Sequence, residues 1–172
     1  ALAAALTLFA LGRPPICTCG EVALWVNERD SARTSQMLAD WYSPSHVVHG
    51  LLFYAALAWL APRWPVGWRF AAAMAVEVAW EVVENTPLII DRYREATAAL
   101  GYNGDSIVNS LADMAMMAAG FLAARRLPVW ASIFLVLTLE LIPLAIIRDN
   151  LTLNVWMLLV PSDSIRSWQS GA

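Results

Sequence analysis

The chain has 172 residues, a net charge of −3, 59% hydrophobic residues and only 15% charged ones. A soluble domain is typically ~45–50% apolar and ~25% charged, so this composition falls in the membrane class. No basic patch suggests nucleic acid, and every basic residue is arginine.

In chain order, "ALAAALTLFALG" opens the sequence. Twelve apolar residues span only ~18 Å as a helix, short of the ~30 Å hydrocarbon core. The stretch reads as the tail of a first membrane helix, with a cleaved signal peptide as the alternative. "ICTCG" then supplies Cys17 and Cys19. One intervening residue is too few for an easy disulfide or for a CxxC redox motif, so two structural thiols, or an occasional strained disulfide, are expected. "WYSPSH" reads as a helix start, with Ser43 as N-cap and Pro44 in the first turn.

Hydrophobic runs place further membrane segments at about 45–61, 68–90, 106–124 and 129–147. Pro62, Pro65, Pro87 and Pro128 lie near segment ends, where a lost N–H matters least, whereas Pro143 lies inside the last segment. "LTLNVWMLLVP" is too short to span and reads as re-entrant or flat in the interface. "SDSIRSWQ" reads as a short amphipathic helix capped by Ser162. The expectation is one all-α, polytopic membrane domain over residues 1–172, with about five transmembrane helices and a short interfacial or re-entrant C-terminal segment.

Arg63 and Arg69 lie between the second and third segments, and Arg125 and Arg126 between the fourth and fifth, which places both turns in the cytoplasm. The loops 13–44 and 91–105 then lie outside, and 148–172 forms an interfacial tail. Trp59, Trp64, Trp68 and Trp130 would make an inner aromatic belt, with Trp41, Tyr42 and Tyr102 in an outer one.

With that orientation, polar residues fall at one depth. His46 and His49 share a face of the second segment. Glu77, Glu81 and Glu84 share a face of the third, followed by Asn85. Asp105, Asn109 and Asp113 share a face of the fourth. Glu140 lies in the outer half of the fifth, with Arg148 and Asp149 at its end. A carboxylate at the bilayer centre costs ~2.5 kcal/mol or more, so these faces should meet around a water-filled cavity open to the outside.

Two histidines with several carboxylates form a ligand set for a divalent metal. His46, His49, Glu81 and Asp113 are the candidate ligands, for Zn, Mn, Fe or Mg. Such an ion polarises a phosphoryl or acyl oxygen and acidifies bound water. Glu81, Glu84, Asp105 and Asp113 are the candidate catalytic acids and bases, and Asn85, Asn109 and Arg148 the candidate substrate contacts, with Arg92 and Arg94 as further anion-binding arginines. Each polar residue alone could instead hydrogen-bond across helices, worth about 0.6–2 kcal/mol. Glu77, the deepest, is the strongest candidate for a structural or proton-relay role. Met114, Met116 and Met117 read as packing residues. The expected function is a membrane-embedded, metal-dependent hydrolase or transferase acting on a lipid or small periplasmic substrate. An accessory subunit of a larger membrane complex and a proton- or cation-coupled transporter are the alternatives. Expected partners are the lipid bilayer and either a membrane protein or a second copy of the chain, with no nucleic acid.

"GRPPICTCG", "DWYSPSHVVHG", "EVVENTPLIIDRYRE", "GYNGDSIVNSLADM" and "IRDNLTLNVWML" carry a family resemblance. From about Gly12 to Gln169 the chain resembles alphaproteobacterial inner-membrane proteins of the DUF2585 type, a domain of unknown function. The resemblance implies a multi-pass protein of a bacterial inner membrane. It brings no activity, substrate or cofactor, so the residue roles rest on position and chemistry.

Overall fold

The structure is a computed structural model and describes residues 1–29, 31–97 and 101–171. Residue 30 of the first expected loop, 98–100 of the second and 172 of the tail lie outside the described residues. Among the described residues the chain forms eight helices and no strand: α1 Leu2–Ala10, α2 Ser43–Leu60, α3 Val66–Glu84, α4 Pro87–Ala96, α5 Ile107–Arg126, α6 Val129–Ile147, α7 Leu151–Leu159 and α8 Asp163–Ser170. The all-α expectation therefore holds.

Two helices, α5 and α6, are long and apolar enough to cross a bilayer. α2 and α3 have 18 and 19 residues, but α2 opens on polar residues and α3 carries Arg69, Glu77, Glu81 and Glu84. α1 has 9 residues.

α2 and α5 pack side by side through two glycines. A Cβ on Gly50 would lie 2.0 Å from the Met117 carbonyl oxygen, and one on Gly120 would lie 2.1 Å from that of Val47. Glycine is therefore required at both positions for the backbones to touch. Beside this crossing, Phe121, Met117 and Ala73 are buried with Phe53, Tyr54 and Phe70 around them. Phe121 meets the rings of Tyr54 and Phe70 edge-on at 5.1 and 5.3 Å. Met114 and Met117 are core residues, as their packing role requires. The outward faces are apolar too: Trp130, Ile133, Phe134, Leu137 and Leu141 of α6 are all exposed, as are Trp59, Trp64 and Trp68 around the α2–α3 turn.

The third segment is shorter than its apolar run suggests. It ends at Glu84, not near residue 90, and Pro87 begins a separate helix, α4. Thr86 precedes the proline and is extended, with ψ 151°. A residue before proline is disfavoured in the α region, and here the helix breaks at that point. Asn85 closes the break: its Nδ2 donates to the Glu81 carbonyl at 2.9 Å, and its Oδ1 accepts the Asp105 N–H at 2.7 Å. α4 also occupies the first part of the expected loop 91–105.

The start of α2 differs in detail as well. Ser43 is its first helical residue, no side chain caps the helix, and Asp40 ties together the turn before it. The Asp40 carboxylate accepts the Ser35 and Tyr42 N–H groups at 2.7 and 2.8 Å, while Ser43 Oγ accepts the Asp40 N–H at 3.0 Å. α5 begins as expected, with Ser106 Oγ accepting the Asn109 N–H at 3.2 Å. Its first-turn donors, normally orphaned, are taken by the long loop: Ile107 and Val108 donate to the Pro14 and Pro15 carbonyls at 2.8 and 3.1 Å. Ser162 caps α8 through the Ile165 N–H.

Cys17 and Cys19 form a disulfide, the second of the two alternatives expected from the sequence. The turn that holds them closes through Gly20, whose N–H bonds the Cys17 carbonyl at 2.9 Å with φ +79°. The Cys17 and Cys19 Cα atoms stand 5.1 Å apart, inside the range a disulfide bridges. Cys17 is buried against Val26 and Met37.

Candidate functional site

The starts of α2 and α5 and the end of α3 lie at one end of the bundle, beneath the loop 11–42, α4 and α7. Between them is a cavity of about 560 Å³. His46, His49, Glu84, Asp105, Asn109 and Asp113 line it from the bundle. Ser31, Thr34, Ser35 and Asp40 line it from the loop, Tyr93 and Asn154 from α4 and α7, and Tyr102 from the segment before α5.

Helical spacing explains the bundle side. On α3 the i, i+4 pair Glu77 and Glu81 is 0% and 1% exposed, while Val76 and Val83 face outward. His46 and His49 come from one face of α2 and converge on Glu77. His46 Nδ1 lies 2.6 Å from Glu77 Oε1, and His49 Nδ1 lies 3.1 Å from Glu77 Oε2. The two rings meet edge-on at 5.3 Å. With Nδ1 of His46 occupied by Glu77, its Nε2 faces Asp113 Oδ2 at 3.8 Å. A carboxylate bonded to one imidazole nitrogen fixes the tautomer and presents the other nitrogen as a lone pair, the arrangement found behind metal-ligating histidines.

Glu81 is different. It is 1% exposed, and neither carboxylate oxygen has a hydrogen-bond partner; Asp113 Oδ1 also lacks one. Buried polar groups in proteins are generally hydrogen-bonded, and a buried carboxylate left without a donor costs several kcal/mol. Glu81 Oε1 lies 3.5 Å from His46 Nδ1. His46, Glu81 and Asp113 each present a ligand atom within 4.8 Å of the others, and so do Glu81, Glu84 and Asp105.

Outside the helices the charges are better supported. Asp105 accepts from Asn85 Nδ2 at 2.7 Å and from the Tyr102 hydroxyl at 3.1 Å. Burial still pushes its carboxyl up to about 6, against those two hydrogen bonds. Burial also raises Tyr102 and Tyr93 well above the usual phenol range, with Asp105 and Glu84 respectively the next cause. Asp40 is raised by burial despite its backbone donors.

The structure thus brings His46, His49, Glu81, Glu84, Asp105 and Asp113 together, with Glu77 behind the histidines. His49 faces Glu77 and lies with that pair, apart from the set formed by His46, Glu81 and Asp113. Asn109 lines the cavity, but its Nδ2 is bound to the Met37 carbonyl at 2.9 Å. Asn85 is buried behind Asp105 as a support. Arg148 is elsewhere: it ends α6 in the left-handed region, φ 56°, and donates to the Trp168 carbonyl at 3.0 Å. Arg92 holds the Leu158 carbonyl, and Arg94 holds Tyr102 and Asn103. Glu140 serves α7, accepting the Leu151 and Thr152 N–H groups at 3.1 and 3.0 Å. The arginines and Glu140 share polarity with the site residues but are spent on backbone ends. Sequence reading missed the loop side of the cavity, Arg29, Ser31, Thr34 and Ser35. "RDSARTS" has no period that marks a lining face.

An all-helical bundle with two candidate spans, which buries histidines and carboxylates around a cavity at its loop end, defines the class. The chain belongs to the family described as "Protein of unknown function (DUF2585)", whose model matches residues 8–171. It is 55% identical over 167 residues to a UPF0314 protein of Paracoccus denitrificans (strain Pd 1222), covering 97% of this chain and 86% of that one. It is 52% identical over 171 residues to a UPF0314 protein of Sphingopyxis alaskensis, covering 99% and 90%. A UPF0314 protein of Novosphingobium aromaticivorans is 49% identical over 179 residues, covering 99% and 88%. No solved structure matches the chain.

Proposed function

We propose that the protein is a multi-pass enzyme of the bacterial inner membrane. In this reading it binds a divalent metal in the chamber and hydrolyses or transfers a group of a lipid or small periplasmic substrate. α1, α2, α3, α5 and α6 cross the bilayer, and the loop 11–42 with α4, α7 and α8 covers the periplasmic end. The exposed apolar faces of α6, α3 and α2 support this placement, since contiguous apolar surface of that kind calls for lipid or protein against it. So does the burial of α3's acids on the opposite face.

The observation that carries the metal is Glu81, buried without a donor beside His46 and Asp113. Two buried carboxylates at this range repel unless a cation or a shared proton sits between them. The mixed imidazole and carboxylate set suits Zn, Mn or Fe. Bound there, the ion supplies a Lewis acid and an activated water. Glu84 and Asp105 lie at the cavity wall to accept a proton, and Tyr93 and Tyr102 stand near them as neutral donors. The loop hydroxyls of Ser31 and Thr34 would meet the substrate's polar part.

Metal analysis of detergent-purified protein, followed by release of phosphate or acyl groups from lipid substrates, tests the proposal. Bound Zn, Mn or Fe that His46→Ala and Asp113→Asn each remove, with activity lost in parallel, is the expected result. Protein below about 0.1 metal per chain, which neither Zn, Mn, Fe nor Mg activates, overturns it.

A further inference from the structure

We propose that the chamber binds a pair of divalent cations, with Glu81 as the carboxylate that bridges them. This pair rests on the metal reading above and extends it, with Glu84 and Asp105 holding the second ion in place of accepting a proton. Two ligand sets overlap in the structure. One is His46, Glu81 and Asp113; the other is Glu81, Glu84 and Asp105. Glu81 belongs to both. It is 1% exposed, and both its oxygens lack a partner, so each oxygen is available to a separate ion.

A single ion satisfies only half of this arrangement. Placed at His46 and Asp113, it leaves Glu84 and Asp105 facing each other within 4.8 Å, in a set with no imidazole. Placed at Glu84 and Asp105, it leaves Asp113 Oδ1 buried and unbonded. The third cluster, His46, His49 and Glu77, needs no ion, because Glu77 is already bonded to both histidines. Glu77 is therefore a positioning residue that aims His46 Nε2 toward Asp113. Asn85 and Tyr102 hold Asp105 in the same supporting way.

The two sites differ in chemistry. The first offers one imidazole with carboxylates and favours Zn, Fe or Mn. The second offers oxygen alone and favours Mn or Mg, with the weaker hold of a hard-ligand site. A chelator should strip the all-oxygen site first.

The test uses the full chain, purified in detergent, stripped of metal and titrated with Mn(II). Metal content and the low-temperature electron paramagnetic resonance spectrum are read together. Two Mn per chain with an exchange-coupled spectrum are expected, falling in Glu84→Gln to one Mn with an uncoupled six-line signal. Asp105→Asn should do the same and stands in if the first variant does not fold. Glu81→Gln should lose the coupling. One uncoupled Mn in the wild type, unchanged in both Glu84→Gln and Asp105→Asn, overturns the pair and leaves the metal reading standing. No binding of Mn, Zn or Mg overturns both.

Discussion

Where α2 crosses α5, Gly50 and Gly120 let the backbones touch and Phe121 fills the space beside them at 0% exposure. Nearer the loop end the same two helices bring His46 to 3.8 Å from Asp113 and enclose Glu81 without a donor. One region is close-packed and apolar, with every contact made. The other is equally buried but leaves carboxylate oxygens unmatched. Stability alone explains the first region and argues against the second, because well-packed apolar residues would serve the fold at least as well. The metal proposed for that end would account for its unpaired buried acids.

Four substitutions break or sharpen this contrast, in falling order of expected effect. Gly50→Ala should be the most damaging, since its Cβ would meet the Met117 backbone at 2.0 Å. We expect a loss of about 3 kcal/mol or more, read as a collapse in the yield of monodisperse protein and in its thermal midpoint. Normal stability in this variant would show that the crossing is looser than described. Glu81→Gln should act in the opposite direction when metal is absent. Removing a buried carboxyl that has no donor should stabilise the stripped protein by about 1–3 kcal/mol, and adding Zn or Mn should stabilise the variant less than the wild type. Equal responses to metal in the two proteins would deny Glu81 its role.

Glu140→Ala provides the comparison with a carboxylate that is satisfied. It loses the acceptor for the Leu151 and Thr152 N–H groups, which should cost about 1 kcal/mol and leave metal content unchanged. A drop in bound metal would place Glu140 in the site after all. Asp149→Asn should show the smallest effect, and one that depends on pH. Burial raises the Asp149 carboxyl from 3.8 to about 6, against the Asn150 N–H, Arg29 and Tyr42. A carboxyl raised in the folded state takes up a proton on folding, so its contribution is fully present below about pH 4 and is lost as pH rises through 6. The variant should match the wild type at pH 4 and exceed it at pH 8, which the thermal midpoint at the two pH values reads. A gain that is greatest at pH 4 would contradict this account.

Much of the site was legible because helical spacing is rigid. His46 with His49, Glu77 with Glu81 and Glu84, and Asn109 with Asp113 had to share faces, and the cost of placing acids in lipid required those faces to meet. Arg148 was misplaced by the same reasoning, because its position at the end of α6 fixed its height but not its direction. The left-handed backbone there turns its side chain to the Trp168 carbonyl. Glu140 was at the right depth but found its donors in the first turn of α7, a helix that folds back beside it.

The sequence by itself determined that the chain is helical, that its helices are apolar outside and acidic on chosen faces, and which residues could lie at one level. Period and composition are local properties, and helix geometry carries them into space without further information. Only the tertiary structure decided that Glu77 is spoken for by two histidines and that Glu81 is not. Whether a buried carboxylate has a donor depends on side chains tens of residues away in the chain, and no local pattern encodes that pairing.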